Sequence, residues 1–414
     1  MKAQLYSIEQ VSEKLGTTVK AVRRLVASGA ISSVRRGGVL KVSETDFCDF
    51  EKNRRGGEDR KVNKLRVKRD VNWVEIADDW QSPKTSGETF VDLFCGAGGL
   101  SKGLEMAGLE GICGLDWFDE AGQTYRRNFS HPFVNGDIRL QEKKNEFYEA
   151  VSSRLKERQL TVVAGGFPCQ GFSMAGNRIE DDPRNSLYKE MLEIVKNLQP
   201  EYVICENVKG LRSMLGGRVE QKIIDDYAAI GYKMNVATLC AADYYTPQKR
   251  ERVIFIGNRI GAINFHPKPI LQPQDYVTTG MAIADLMSRP ADPAFNHEPT
   301  HHRPDMERRL RELPEGQSLY KGYSDAWKRC PWNQPSCTIK ENHGGVNVHP
   351  KLPRVLTARE MARLQSFPDD FIFMGGKSKQ LVQIGNAVPP LLGKAVGLAI
   401  LKSIAKFKED ETKG

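Results

Sequence analysis

A glycine-rich turn follows the first buried-strand pattern in the long C-terminal part of the chain. Residues 90–94 (FVDLF) run into 95–99 (CGAGG), and a helical pattern follows over 100–107. Glycines at a strand-to-helix turn let the backbone approach a bound cofactor closely, at the carboxyl ends of parallel strands. The turn does not match the GxGxxG of dinucleotide enzymes, so it predicts a cofactor site without identifying the cofactor.

Two acids and one aromatic residue follow the next strand patterns. Asp116 comes 20 residues after Gly96, where a carboxylate can accept hydrogen bonds from two ribose hydroxyls. Trp117 offers a flat face for adenine, and Asp137 is a candidate acceptor for the adenine amino group. Helix capping or surface solvation is the alternative role for each acid. Together these residues suit a ligand that contains adenine and ribose.

A cysteine lies in a second segment that follows a strand pattern, 165–173 (GGFPCQGFS) after 161–164. Pro168-Cys169-Gln170 with the following Phe-Ser, about 75 residues after the glycine turn, resembles the catalytic motif of the DNA (cytosine-5) methyltransferase family. Further family motifs follow in order: 206–208 (ENV), 248–252 (QKRER), 354–369 and 383–389 (QIGNAVP). The resemblance covers about residues 88–405. It implies an α/β, Rossmann-like methyltransferase domain that uses S-adenosylmethionine, with a small target-recognition domain.

The resemblance also implies a covalent mechanism. Carbon 5 of cytosine is a poor nucleophile until a thiolate adds to carbon 6, and Cys169 would take that role. A free cysteine has a pKa of about 8.5, so a positive or hydrogen-bonding surround must raise the thiolate fraction. Glu206 would hydrogen-bond ring nitrogen 3 and the exocyclic amine. Arg250 and Arg252, two apart on an extended segment, would face the cytosine oxygen together, although a structural ion pair is an alternative role for Arg250.

The remaining expected contacts are with the cofactor and with DNA. The cofactor residues are expected to be Phe94, Gly96, Gly98, Gly99, Asp116, Trp117, Asp137, Ile138, Pro168, Asn386 and Val388. Gln170, Ser173 and Gln248 are the expected DNA contacts near the nucleophile. Because a thiol cannot reach a stacked base, the cytosine must flip out of the duplex, and the small, polar segment 170–187 is expected to close over the site. No residues around the histidines of 296–303 have zinc-ligand spacing, so we expect no metal.

The N-terminal residues read as a separate small module. Ser7 and Thr18 can cap two helices, over residues 8–15 and 19–27. The next residues predict a hairpin with a basic tip, formed by strands 30–34 and 39–42, and then a short helix over 43–50. The pattern resembles the winged helix-turn-helix of excisionase and MerR-type proteins, which implies DNA contacts by Lys20, Arg23 and Arg24. A small protein-docking domain is the alternative.

Charge and composition limit the classes of protein. Residues 1–70 carry 17 Lys and Arg against 9 Asp and Glu, so +8 of the net +9 lies there, which suits a polyanionic partner. No apolar run approaches the roughly 20 residues of a membrane helix. Eight cysteines without a CxxC pair favour a reducing compartment, so we expect a cytoplasmic protein.

These observations predict five regions and their partners. They are a DNA-binding module over 1–50, a basic linker over 51–88, a catalytic domain over 89–260, a target-recognition region over 261–350 and a C-terminal part over 351–414 that completes the catalytic domain. We expect a monomer on double-stranded DNA, which could have a cognate restriction endonuclease.

Two other functions compete with DNA methylation. An RNA cytosine-5 methyltransferase of the same fold shares these motifs, but a helix-turn-helix docks in the major groove of DNA, and the deep groove of RNA excludes helices. A DNA-binding regulator with an inactive methyltransferase body is disfavoured by the intact Cys169, Glu206 and Arg252.

Overall fold

The computed structural model describes residues 5–15, 18–27, 31, 33–36, 39–48, 50, 71–81, 85–168, 186–320, 327–340 and 347–413. The chain divides into two compact units, 1–70 and 71–414.

The first unit combines two helices and a further helical stretch at residues 44–48, within the predicted 43–50, with a three-stranded antiparallel sheet of order β1-β3-β2. Its elements are β1 (Leu5–Ser7), α1 (Ile8–Lys14), α2 (Val19–Ala27), β2 (Val34–Arg36) and β3 (Val39–Ser43). Ser7 starts α1 with a reciprocal capping box to Gln10. The unit has a hydrophobic core of its own, formed by Tyr6, Ile8, Val11, Leu15, Val22, Ile31, Val42 and Phe47.

One detail of the predicted hairpin was wrong. Arg35 and Arg36 belong to β2, paired with Leu40 and Val39, rather than to the tip of the hairpin. The third strand, β1, was not expected; it exists because the residues before the first helix pair with the outer edge of β3.

The second unit contains the large sheet. Its strands are β4 (Asn72–Val74), β5 (Thr89–Leu93), β6 (Glu110–Asp116), β7 (Phe133–Asn135), β8 (Val162–Gly165), β9 (Tyr202–Val208), β10 (Lys233–Cys240), β11 (Glu251–Asn258), β12 (Phe265–Pro267), β13 (Lys328–Arg329) and β14 (Asn347–Val348). Its helices are α3 (Gly99–Ala107), α4 (Asp119–Asn128), α5 (Gln141–Leu155), α6 (Ser186–Leu198), α7 (Arg218–Ala229), α8 (Thr279–Ile283), α9 (Pro304–Glu312), α10 (Ala358–Leu364), α11 (Lys377–Asn386) and α12 (Pro390–Lys413).

Seven strands form a mixed sheet of order β10-β11-β9-β8-β5-β6-β7. The five strands from β9 to β7 are parallel. At the other edge β11 runs antiparallel to both of its neighbours, β9 and β10, so β10 points in the same direction as the five parallel strands. The chain proceeds from β5 to β6 and β7 on one side and then returns to β8 on the other. The strand order therefore reverses between β5 and β8, the place where open α/β sheets bind ligands at their carboxyl ends.

Apolar side chains on both faces bury the sheet between two helical layers. Phe90 faces a cluster with residues of α3 and α12, whereas its neighbour Val91 faces a cluster with residues of α5, α6 and α7. Gly103 and Gly393 allow close approach of α3 and α12, since a Cβ on Gly103 would lie 2.6 Å from the Gly393 Cα.

One helical stretch among the described residues, 377–413, is long and apolar enough to cross a membrane by length and composition. Its most apolar window is 83% buried inside the protein. The stretch includes α12, which packs on α3 as a core helix.

Candidate active site

The glycine turn after β5 is tied to the end of β6 by one carboxylate. The backbone turns through left-handed conformations at Phe94 (φ 56°), Gly96 (φ 53°) and Gly98 (φ 92°). The Gly96 N–H donates to Asp116 Oδ2 at 2.8 Å, and the Phe118 N–H donates to Oδ1 at 2.8 Å. Burial raises the pKa of Asp116, while these N–H groups oppose that shift. Each oxygen keeps acceptor capacity for a ligand hydroxyl.

The other residues expected around the adenine have different environments. Trp117 is 74% exposed, a large ring open to solvent beside Asp116. Asp137 is held by the Arg139 Nε at 2.9 and 3.0 Å, and this hydrogen bonding lowers its pKa. Ile138 is 2% exposed and lies in the sheet core, so it can form only the inner wall of a site.

The C-terminal motif lies directly on the first turn of α3. A Cβ on Gly99 would lie 2.2 Å from the Val388 carbonyl oxygen. Only glycine fits this approach without a shift of the backbone. Asn386, the last residue of α11, is exposed. The turn and the motif therefore form one continuous surface.

Glu206 and Arg252 meet at the carboxyl edge of the parallel strands. Glu206 lies inside β9, beyond the last residue that pairs with β8, because the antiparallel β11 continues the pairing past the end of β8. The antiparallel direction also brings the amino end of β11, with Arg252, to this edge. The Arg252 Nε lies 2.8 Å from Glu206 Oε1, and both side chains are largely buried. The second oxygen, Oε2, lies 3.0 Å from where a Cβ on Gly166 would be.

The segment that leads to the cysteine is anchored beside this pair. Cys169, Gln170 and Ser173 lie outside the described residues, and the exposed Pro168 is the last residue before them. The Asn207 Nδ2 donates to the Phe167 carbonyl at 2.9 Å. The Phe167 ring packs 5.1 Å from the ring of Tyr188. The residue after Glu206 thus holds the start of the Pro-Cys segment in place.

Arg250 and Gln248 do not have the surroundings that the sequence suggested. Arg250 is 2% exposed, and its terminal nitrogens donate to the carbonyls of Ile339, Gly385 and Ala387 at 2.7–2.9 Å. Burial lowers its pKa. It precedes β11, so it does not face the same way as Arg252.

Gln248 is fully buried rather than available to DNA. Its Nε2 donates to the Leu364 carbonyl and to Gln365 Oε1, and its Oε1 accepts from the Ile339 N–H. Because all these groups are satisfied within the protein, Gln248 and Arg250 brace the loop before β11 against the C-terminal motif.

A buried hydrogen-bond chain beneath the glycine turn was missed by the sequence analysis. Asp92 Oδ2 accepts a hydrogen bond from the Ser101 hydroxyl at 2.6 Å. The Ser101 hydroxyl lies 2.9 Å from the Tyr125 hydroxyl, and the Tyr125 hydroxyl lies 2.7 Å from His131 Nε2. Burial raises the pKa of Asp92 to about 7. A polar residue inside the strand pattern 90–94 was the available signal.

The structure thus gathers Glu206, Arg252, the 166–168 segment and the Asp116 turn at one edge of the sheet. Lys20, Arg23 and Arg24 belong to the other unit, where the Arg23 side chain is exposed. Among the residues that the structure describes, no group of three or more His, Cys, Asp or Glu could hold a metal ion.

Comparison with known proteins assigns this site to a family. Residues 88–402 match the model of the C-5 cytosine-specific DNA methylase family. The Type II methyltransferase M1.HphI of Haemophilus parahaemolyticus is 36% identical over 76% of this chain and 87% of its own. The Type II methyltransferase M.BspRI of Lysinibacillus sphaericus is 33% identical over 82% of this chain and 86% of its own.

A solved structure resembles most of this chain. It is described as a candidate DNA modification methyltransferase encoded within a prophage (Escherichia coli) and covers 77% of this chain and 100% of its own, with 26% identity and a TM-score of 0.62. The family model spans the sheet, the glycine turn, the Glu206–Arg252 pair and the C-terminal motif. The chain therefore belongs to the C-5 cytosine-specific DNA methylase family.

Proposed function

We propose that this DNA (cytosine-5) methyltransferase modifies a cytosine flipped out of a specific duplex site, through a covalent bond between the Cys169 sulfur and carbon 6. The observation that carries the proposal is the ion pair of Glu206 and Arg252 beside Gly166, three residues before the cysteine. A carboxyl group and a guanidinium next to a thiol-bearing segment supply the groups that this chemistry needs.

Each group has a defined task in the reaction. The Cys169 thiolate adds to carbon 6, and the ring accumulates negative charge. Since Arg252 occupies Glu206 Oε1, the other oxygen, Oε2, is left to hold a proton toward ring nitrogen 3 and to accept from the exocyclic amine. Once carbon 5 carries the methyl group, water removes its proton, and the Cys169 sulfur leaves as the ring double bond re-forms. Arg250 acts as a positioning residue, because its nitrogens are bound to backbone carbonyls.

The second unit suits S-adenosylmethionine as the cofactor. The buried Asp116, the exposed Trp117 and the open space beside Gly96, where nothing lies within 4 Å of a Cβ position, form a surface that can take a ligand. The bound cofactor would supply an electrophilic methyl group. Phe94, Gly96, Gly98, Asp137, Ile138, Pro168 and Asn386 are the other residues that we assign to its surroundings.

Asp116 offers a direct test of this cofactor site. Asp116→Ala should weaken S-adenosylmethionine binding by about 1–3 kcal/mol, since ligand hydroxyls and two backbone N–H groups lose their acceptor. Asp410→Ala is the matched control, because its exposed carboxylate pairs with Lys406 near the end of α12, away from the residues assigned to the cofactor. Calorimetry that shows unchanged affinity for Asp116→Ala would remove Asp116 from the site.

We further propose how the chain engages DNA. Segment 170–187, with Gln170 and Ser173, would close over the flipped base, and 261–350 would read a short target. Residues 1–50 would add affinity through Lys20, Arg23 and Arg24 on α2. The separate core of that unit and the net +8 of residues 1–70 support this role.

Salt dependence tests the role of the N-terminal unit. A protein lacking residues 1–70 should remain a competent enzyme. The slope of the logarithm of its DNA-binding constant against the logarithm of the salt concentration should be shallower, by about 0.9 for each phosphate that the N-terminal unit neutralises in the full-length protein. Equal slopes for the full-length and truncated proteins would contradict the proposal.

We also infer a cytoplasmic enzyme that is monomeric on DNA and has a cognate restriction endonuclease; the likeness to Type II methyltransferases supports a role in DNA modification. Bisulfite sequencing of DNA from a host that expresses the chain would test the whole proposal. The expected result is conversion-resistant cytosine in one short sequence, lost with Cys169→Ala. Methyl transfer to transfer RNA and not to duplex DNA would overturn it.

A further inference from the structure

Two cysteines outside the catalytic site lie close enough to react with each other. Cys330 follows β13, and Cys337 lies seven residues later on the same segment. Their sulfur atoms are 3.8 Å apart. A disulfide bond needs about 2.05 Å between sulfurs, so an approach of about 1.8 Å is required, within the reach of side-chain rotation. Cys330 is buried, whereas Cys337 is partly accessible.

The surroundings make the two sulfurs unequal. The Asn347 Nδ2 donates to Cys337 Sγ at 3.2 Å and lies 3.9 Å from Cys330 Sγ. The hydrogen bond from Cys330 lowers the pKa of Cys337, and Lys328 and Asn347 add to this effect against the opposing effect of burial. The hydrogen bond to Cys337 and burial raise the pKa of Cys330. The greater accessibility of Cys337 and its shorter hydrogen bond from Asn347 therefore favour Cys337 as the sulfur that reacts first.

The pair also touches the frame of the active site. Ser336, just before Cys337, exchanges backbone hydrogen bonds with Pro247 and Lys249 at 2.9 and 3.0 Å. The Thr338 hydroxyl, just after Cys337, donates to the Lys249 carbonyl at 2.8 Å. The Ile339 carbonyl accepts from Arg250. A movement of Cys337 would thus be transmitted to the loop before β11, the strand that carries Arg252.

We propose that Cys337 and Cys330 form a peroxide-sensitive modification site, distinct from the catalytic cysteine. The Cys337 thiolate attacks one oxygen of hydrogen peroxide, the O–O bond breaks, and hydroxide leaves. The Cys330 sulfur then attacks the resulting sulfenic sulfur, and water leaves as the disulfide forms. Two thiols are oxidised, and one peroxide is reduced to two waters. The disulfide displaces the braced segment and slows methylation reversibly.

Two variants of Cys330 separate the parts of this proposal. Cys330→Ser keeps a hydrogen-bond donor but cannot form the disulfide, whereas Cys330→Ala removes both. Full-length protein is treated with hydrogen peroxide, blocked with N-ethylmaleimide and examined by peptide mass spectrometry. Wild type should give a Cys330–Cys337 peptide lacking two hydrogens, and Cys330→Ser should give a dimedone-trapped sulfenic acid at Cys337. The exposed Cys48 serves as the internal measure of oxidation. If half of Cys48 is oxidised and no Cys330–Cys337 disulfide has formed, the proposal is overturned.

The pH profile and the activity supply independent readouts. The midpoint of Cys337 alkylation against pH should rise in Cys330→Ala and less in Cys330→Ser; identical midpoints in all three proteins would contradict the assigned thiolate. Peroxide also reaches Cys169, so each protein is compared with its own untreated sample. After peroxide treatment, wild type should lose severalfold more of its methylation activity than Cys330→Ser. Dithiothreitol should restore that difference. Equal losses would show that the pair does not act on the site.

Discussion

The Arg252 Nε and Glu206 Oε1 lie 2.8 Å apart between diagonal positions of two antiparallel strands. Glu206 is paired with Ile254, and Arg252 stands two residues from that partner, so their side chains share a face. A guanidinium bound to one oxygen fixes the plane of the carboxyl group. The free oxygen, Oε2, then points to the segment that leads to Cys169, and the pair orients the group proposed to bind the cytosine.

Removal of this guanidinium should reduce the rate of methylation. Arg252→Ala is expected to lower kcat by about 10²–10³-fold, the usual cost of losing one well-placed donor. Arg252→Lys should rescue little of the loss, because an ammonium lacks the planar fork. Arg158→Ala is the control, since Arg158 pairs with Glu110 on the surface. The methylation rate of each variant is measured in single-turnover experiments. An Arg252→Ala enzyme with a rate within threefold of wild type would contradict the proposal that Arg252 orients Glu206.

Arg250 should matter for stability more than for the chemical step. Arg250→Met leaves the carbonyls of Ile339, Gly385 and Ala387 without their donor inside the protein. We expect the free energy of unfolding to fall by about 2–4 kcal/mol, measured by urea denaturation. Arg252→Ala serves as the comparison and should destabilise less. An Arg250→Met protein as stable as wild type would show that these hydrogen bonds are dispensable.

The approach of Gly99 to the C-terminal motif can be tested by adding one methyl group. In Gly99→Ala the new Cβ would meet the Val388 carbonyl at 2.2 Å. The motif must shift, so we expect a loss of about 1–3 kcal/mol in stability and weaker S-adenosylmethionine binding by calorimetry. Gly210→Ala is the control, because nothing lies within 4 Å of its Cβ position. Equal effects of the two variants would contradict this packing.

Asp92 should make stability depend on pH. Burial raises its folded pKa from 3.8 to about 7, so the folded state binds its proton more tightly than the unfolded state. The stabilisation that Asp92 contributes to the folded state is therefore complete below a pH of about 4. It is lost as the pH rises toward 7, and the free energy of unfolding falls by up to about 1.4 kcal/mol per pH unit. Asp92→Asn lacks this titration but keeps an acceptor for Ser101.

The stability of Asp92→Asn relative to wild type should accordingly rise between pH 4.5 and 7.5. Chemical denaturation at several pH values measures this difference, in which the other titrating groups cancel. A difference that stays constant over the range would rule out the assignment to Asp92.

Local patterns predicted most of the elements that frame the site. The glycine turn, α3 and the strand before Asp116 were recognisable from apolar runs and turn residues, and the family motifs identified the remaining parts. The antiparallel placement of β11 was not predictable, because strand order depends on interactions distant in sequence. The hydrogen-bond partners of Arg250 and Gln248 were not predictable for the same reason, because they lie 89 to 137 and 91 to 117 residues away.

The central claim is that the Cys169 sulfur bonds to carbon 6 of the target cytosine, and covalent trapping tests it most directly. Duplex DNA with 5-fluorocytosine in the verified target site is incubated with enzyme and S-adenosylmethionine and then denatured. Fluorine at carbon 5 cannot leave as a proton does, so wild type should remain attached to the DNA, and peptide mapping should place the bond at Cys169. Cys169→Ala should give no adduct, whereas Cys240→Ala should give as much as wild type. Failure to trap wild-type protein, or an adduct at another residue, would contradict the mechanism.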